Sequence, residues 1–278
     1  MKTISRNLVN QYSQLINDVR SRAGTRLYDE LDMYVMNYAN ARNSTAAKDA
    51  LFAIKERIHE YALTYGDAAA EVACEFFDVV TELQELNAYL AEFPPNWYNP
   101  RGTNSAVDRA GRVYLESEDT EKMKRMLMNQ LKYEVGLAAH KATSHNVVRN
   151  KKRVPGIAYA RVPTGADTCA FCMLLASRGF VYTSMEAAEG LTPDHYHSDC
   201  DCVAVAGRGD SRAEGYDEEH YWDIYESGLE QKQKMVDDGD IKRWHDLSPE
   251  EKGLYKSPND YETKMILKGM RQSHGLKH

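Results

Sequence analysis

Apolar residues return at three- and four-residue steps over most of the chain, as in helices that bury one face. Leu8, Tyr12, Leu15, Val19, Leu27, Leu31 and Tyr34 trace such a stripe and predict helix over 4–42, with Gly24 as a candidate break. Asn43-Ser44-Thr45 offers a turn and a cap, and a second helix is expected from Ala46 to Tyr65. Gly66-Asp67 reads as the start of a third, running to Phe93 with Ala70, Val72, Ala73, Phe76, Phe77, Val80 and Leu83 turned inward. Cys74 sits in that apolar run and is expected to be a small buried hydrophobe. The stretch Phe93-Pro94-Pro95-Asn96-Trp97-Tyr98-Asn99-Pro100-Arg101-Gly102 is the strongest breaker, because proline lacks an amide hydrogen and its ring clashes with the preceding helical turn.

Beyond it a short helix is expected over 105–116. Asp119-Thr120 then caps a long helix over 121–149, whose stripe is Met123, Leu127, Leu131, Val135, Ala138 and Ala142. His140 and His145 fall near its end, where positive charge suits the helix dipole, so exposed positions are expected for both. After Gly156 the pattern changes. Strands are predicted over 157–162, 180–183 and 202–206, with short helices from Cys169 (capped by Asp167 or Thr168) to Ser177 and from Met185 to Glu189. Helical spacing resumes with Tyr221, Ile224, Tyr225 and Leu229, then with Tyr261, Met265, Ile266 and Met270. The whole predicts a mainly α protein with a small α+β module. Its parts are an N-terminal helical region (1–93), a proline-rich linker (94–104), a helical connector (105–153), the α+β module (154–207) and a helical C-terminal appendage (208–278).

Composition narrows the class. With 278 residues, 42% of them hydrophobic and 28% charged, the chain can bury one large core or two smaller ones. The first residues lack the apolar segment of a signal peptide, and no apolar run approaches the roughly 18 residues that span a bilayer. Folding in a cytoplasm is the expectation, and thiols there stay reduced. The net charge of −7 is uneven: residues 120–161 carry ten basic and two acidic side chains. The bland reading of that band is the solvated face of a long helix. The sharper one is a contact surface for DNA or an acidic partner, with Arg149, Lys151, Lys152 and Arg153 as the candidates.

The chemistry concentrates between Cys169 and Cys202. Four of the five cysteines lie there, as Cys169-x-x-Cys172 and Cys200-x-Cys202, with His195 and His197 just ahead of the second pair. Cys169, Cys172, His197, Cys200 and Cys202 supply more thiolate and imidazole ligands than one tetrahedral zinc needs. A closed structural zinc site is the reading the spacing favours. A catalytic zinc would want an open coordination position and a base. His195, Asp194 and Asp199 lie nearby without a spacing that selects them, and the H-x-E element of zinc deaminases is missing around His140 and His145. A redox pair at Cys169 and Cys172, and cysteines that merely pack or form disulfides, are the remaining readings. No enzyme activity is expected; the alternative kept beside that is a zinc-dependent hydrolase or nuclease acting on nucleic acid.

The strand leading into Thr168-Cys169-Ala170-Phe171-Cys172, the segment Ala176-Ser177-Arg178-Gly179, the strand Val181-Tyr182-Thr183-Ser184 and the closing His197-Ser198-Asp199-Cys200-Asp201-Cys202 resemble the MuF-like minor head proteins of tailed bacteriophages. This is the phage head-morphogenesis family, and the likeness is to its branch from Gram-positive, especially actinobacterial, hosts. It covers about 155–206; Tyr65-Gly66-Asp67-Ala68-Ala69-Ala70-Glu71 matches more loosely. Ser198 and Asp201 stand where proline and arginine are usual in that family. The resemblance implies a structural minor capsid protein of the virion head, assembled in the host cytoplasm near the portal. Portal and major capsid proteins would be its partners, with packaged DNA a further contact at assembly or ejection. It implies neither a membrane nor a small-molecule substrate.

Overall fold

The computed structural model describes residues 3–166, 168–189 and 200–276. Three long helices make the body: α1 (Arg6–Ala39), α2 (Ser44–Leu83) and α4 (Thr120–Asn150), each packed on the other two, with α3 (Pro100–Ser117) laid against α2 and α4. Their facing stripes, among them Leu27, Leu31, Ile54, Ile58, Leu127, Leu131 and Val135, are fully or almost fully buried. Each such Leu or Ile contributes about 1.5–3 kcal/mol by leaving water.

The predicted breaks at glycine are not there. Gly24 lies inside an unbroken α1, and Gly66 lies in the middle of the 40-residue α2. Gly66 is a packing glycine: the indole of Trp97 rests on it, and a β-carbon there would overlap that ring. Asp67, read from sequence as a helix start, instead accepts the Trp97 indole N–H at 2.8 Å. The end of α2 also differs, falling at Leu83 rather than near Phe93. Glu85 takes a left-handed φ of 57°, and the Leu86 amide reaches back to the Thr81 carbonyl at 2.9 Å, closing the helix without a glycine.

Residues 84–99 then run as an irregular strap over the ends of α2 and α4. Side chains pin its backbone where a sheet would otherwise do so. The amides of Tyr89, Ala91 and Glu92 donate to Asn150 Oδ1, Asp78 Oδ1 and Asn146 Oδ1 at 2.7, 2.7 and 2.8 Å. Pro100, at the end of the strap, starts α3 from within its first turn, where a missing amide hydrogen costs nothing.

The module predicted as α+β holds β1 (Ile157–Pro163), α5 (Ala170–Ala176), α6 (Met185–Glu189) and β2 (Cys202–Arg208). The two strands pair antiparallel from Ile157↔Arg208 to Pro163↔Cys202. The second predicted strand, 180–183, reduces to a single bridge between Tyr182 and Tyr159. Both faces of the strand pair are covered, β1 by α4 and α5 and β2 by α1, α2 and α4, so every residue of β1 is buried. Gln84 fastens the end of α2 to this sheet, donating to the Ala206 carbonyl at 3.0 Å and accepting from Ser211 at 2.6 Å.

The C-terminal residues form α7 (Glu218–Asp237), the single turn α8 (Pro249–Lys252) and α9 (Pro258–His274). Helices α7 and α9 cross where Gly228 and Gly269 meet; a β-carbon on either would strike the other helix. Both also touch α5, so this segment packs on the cysteine module. The start of the chain is bound in as well, through Ile4 N to the Arg212 carbonyl (2.9 Å) and Glu214 N to the Ile4 carbonyl (2.8 Å). Among the described residues no helix is long and apolar enough to cross a membrane.

Candidate metal centre

The strand register places the cysteines. Cys202 opens β2 and stands opposite Pro163, the last residue of β1, so the second cysteine pair is delivered to the turn that carries the first. That turn is tied down locally. Thr164 donates to the Asp201 carbonyl, and Thr168 Oγ1 donates to Asp201 Oδ2 at 3.0 Å. Gly165 leaves the Asp201 carboxylate room that a β-carbon would take. The cap of α5 is neither residue expected from sequence: Cys169 itself is the N-cap, its sulfur accepting the Cys172 amide at 3.4 Å. Asp167 lies outside the described residues.

The sulfurs of Cys169, Cys172 and Cys200 all fall within 4.8 Å of one another and are buried, a group that could hold a metal ion. Cys172 Sγ is 3.0 Å from Cys200 Sγ, and Cys200 Sγ is 3.9 Å from Cys202 Sγ. Zn–S bonds of about 2.3 Å at tetrahedral angles put neighbouring sulfurs about 3.8 Å apart, a spacing that the Cys200–Cys202 pair matches and the Cys172–Cys200 pair undercuts. Both separations are too long for disulfides, whose S–S bond is about 2.05 Å, and all five cysteines are free thiols. His195, His197 and the carboxylates of Asp194 and Asp199, named from the sequence as ligands or neighbours, lie outside the described residues.

The charges around the cluster were not foreseen from sequence. Arg161, in the middle of β1, is fully buried and donates from Nη2 to Cys202 Sγ at 2.9 Å and to His140 Nε2 at 2.9 Å. His140 was expected to be exposed on α4; it is buried instead, facing the module. Burial holds its proton affinity well below the ordinary histidine value, and the charges of Arg161 and Arg20 add to the effect. Since a guanidinium only donates, His140 receives at Nε2 and is the neutral tautomer protonated at Nδ1. Arg20 reaches from α1 to the Cys200 carbonyl at 2.8 Å. Burial pushes the Cys202 thiol up to about 11, with the Arg161 charge pulling the other way. The thiols of Cys172 and Cys200 hydrogen-bond to Cys169 and draw its proton affinity down to about 4, while the same contact pushes Cys172 well up. Arg161 had one signal in the sequence, an arginine inside the otherwise apolar Ile157–Pro163. His140 had none, since an amphipathic stripe does not say which flank of a helix a later strand will cover.

The remaining candidates lie at the C-terminal end of α4. Arg149 donates to the Leu90 carbonyl at 2.6 Å and pairs with Glu92, and Arg153 donates to the Asn87 carbonyl at 2.6 Å and to Asn87 Oδ1 at 2.8 Å. These two arginines hold the strap. Lys151 and Lys152 are exposed. More of the basic band is turned inward: Lys124 is buried against Asp32 and Glu121, and Lys141 donates to the Trp97 carbonyl at 2.6 Å. Cys74 is half-buried, with its thiol raised to about 11, chiefly by burial.

A helical body with a buried thiol cluster on a two-stranded clip belongs to a class defined by its family. Residues 3–228 match the model of the family described as VG15 protein, and the chain belongs to that family, one of viral (phage) proteins. No curated protein and no solved structure matches the chain.

Proposed function

We propose that this chain is a structural minor protein of a tailed phage head, located near the portal, and that its cysteine cluster is a closed zinc site that clips the module together. The observation that carries the reading is the burial of the cluster: Cys169, Cys172, Cys200 and Cys202 are 4%, 0%, 7% and 3% exposed. A hydrolytic zinc keeps a position open to water and substrate, whereas a structural one is enclosed. Cys169, Cys172 and Cys200 would be three of the ligands, with Cys202 or His197 the fourth. Bound there, the ion would supply folding free energy, joining the turn after β1 to the start of β2. Membership in a phage protein family supports the virion assignment, and the resemblance of 155–206 to MuF-like proteins supports the head.

Portal and major capsid proteins are the partners this reading implies, offered the long faces of the helical body, with packaged DNA as a further contact at the exposed Lys151 and Lys152. Mass spectrometry of purified heads tests the placement: the chain should be found in mature particles, at fewer copies than the major capsid protein. Its absence from particles would remove the structural assignment. For DNA, the measurement is affinity against salt. Lys151→Glu with Lys152→Glu should weaken binding and flatten its salt dependence by about two phosphate contacts. An unchanged slope would leave those lysines with no part in DNA binding.

A further inference from the structure

Apart from the cysteines, a second polar cluster, partly buried, joins α2, the strap, α3 and α4. His59 Nε2 is 2.9 Å from Asn104 Oδ1, and His59 Nδ1 is 2.5 Å from the Tyr98 hydroxyl. Tyr98 donates to Thr103 Oγ1 at 3.1 Å, and Thr103 donates to Glu134 Oε1 at 2.8 Å. Gln130, one turn before Glu134 on α4, donates to the same oxygen at 2.8 Å. Glu134 is 4% exposed and Thr103 is fully buried.

Counting hydrogens gives the number of protons the path holds when every gap in it is bridged, taking first the arrangement in which Glu134 is a carboxylate. Asn104 offers an oxygen, so His59 carries a hydrogen on Nε2. Tyr98 has one hydrogen, which lies on the bond to Thr103, and the hydrogen of Thr103 lies on the bond to Glu134. The oxygen of Tyr98 must then receive from His59 Nδ1. Both ring nitrogens donate, so the imidazole is charged and the Glu134 carboxylate is its counter-charge at the other end of the chain. Moving three hydrogens one place along gives neutral His59 and neutral Glu134 with the same bonds made. Either way the path holds one proton. Without it, two hydroxyl hydrogens must serve three gaps, and one link is lost.

We propose that His59, Tyr98, Thr103 and Glu134 form a one-proton relay that latches the segment 93–103 across α2 and α4, and that the latch loosens when rising pH removes the proton.

The surroundings agree. Burial raises the proton affinity of Glu134, against the hydrogen bonds of Thr103 and Gln130 and the charges of Lys141 and His59. Burial also pushes the Tyr98 phenol up to about 12, so it remains a donor across the neutral range. The other charged groups here are fixed: Lys141 on the Trp97 carbonyl, Asp67 on the Trp97 indole, and the Lys55–Asp108 pair one turn before His59 on α2. A proton held more tightly in the folded than in the unfolded chain stabilises the fold at low pH, and that stabilisation is lost as pH rises through the folded-state titration.

The test is hydrogen exchange of the amides in 94–103, corrected for the intrinsic effect of pH, from about pH 5 to about pH 9, which spans the ordinary Glu and His ranges. Protection in the wild type should fall about tenfold or more across that range, the worth of one hydrogen bond to a charged group. His59→Gln, which donates without titrating, should keep the protection and lose its pH dependence. Tyr98→Phe should lower protection at every pH. A flat wild-type profile, or a His59→Gln profile like the wild type, would each overturn the relay.

Discussion

At the scale of residues, Arg161 is the side chain most dependent on what the cysteines hold. A buried guanidinium is costly unless negative charge faces it, and a divalent ion bound by three or four thiolates keeps a net negative charge. Its contact with Cys202 Sγ at 2.9 Å is then a charged pair. Arg161→Met should cost about 3–5 kcal/mol in urea unfolding of the metal-loaded protein, because it leaves the cluster's charge buried alone. Four neutral thiols would make the same change neutral or stabilising. The sequence made the cysteines themselves plain, since their spacing alone predicts a metal-binding group, and Cys169, Cys172 and Cys200 do converge. It did not show the electrostatic frame, because Arg20, His140 and Arg161 come from three elements whose proximity only the tertiary fold creates.

The elements differ in how legible they were. Helix α4, with a long stripe and a polar cap in Asp119, which accepts the Lys122 amide at 2.8 Å, lies within a residue of its expected bounds. The misreadings fall where a residue serves packing rather than punctuation. Gly66 admits an indole from 31 positions later, and Glu85 turns the chain in a conformation usually given to glycine. With no breaker in 84–92, the helix was extended through a strap that is held by side chains of α2 and α4. Asn146 is the chief of these, accepting the Glu92 amide at 2.8 Å and donating to the Glu92 carbonyl at 3.0 Å. Asn146→Ala should therefore cost about 1–3 kcal/mol in thermal or urea unfolding and expose the strap to proteolysis. A melting point equal to the wild type's would mean the strap contributes no stability.

For the whole molecule, the inward turn of Lys124, Lys141 and Arg161, with Arg149 and Arg153 bound to the strap, changes the meaning of the basic band. Lys124 and Arg161 are buried, Lys132, Lys141 and Arg149 are half-buried, and Lys122, Arg125, Lys151, Lys152 and Arg153 are exposed. With a net charge of −7, contact with DNA under the proposed reading would be confined to a small basic point. The cysteine clip lies where the helical body, the strand pair and the α7–α9 pair converge, so losing it should be felt in all three. Zinc analysis of the full chain, purified without chelator, measures the central claim most directly. The account predicts about one zinc per chain in a thiolate-rich tetrahedral site, with Cys172→Ala losing both the ion and much of the thermal stability. Protein that carries no bound metal, together with a Cys172→Ala variant that melts like the wild type, would contradict it.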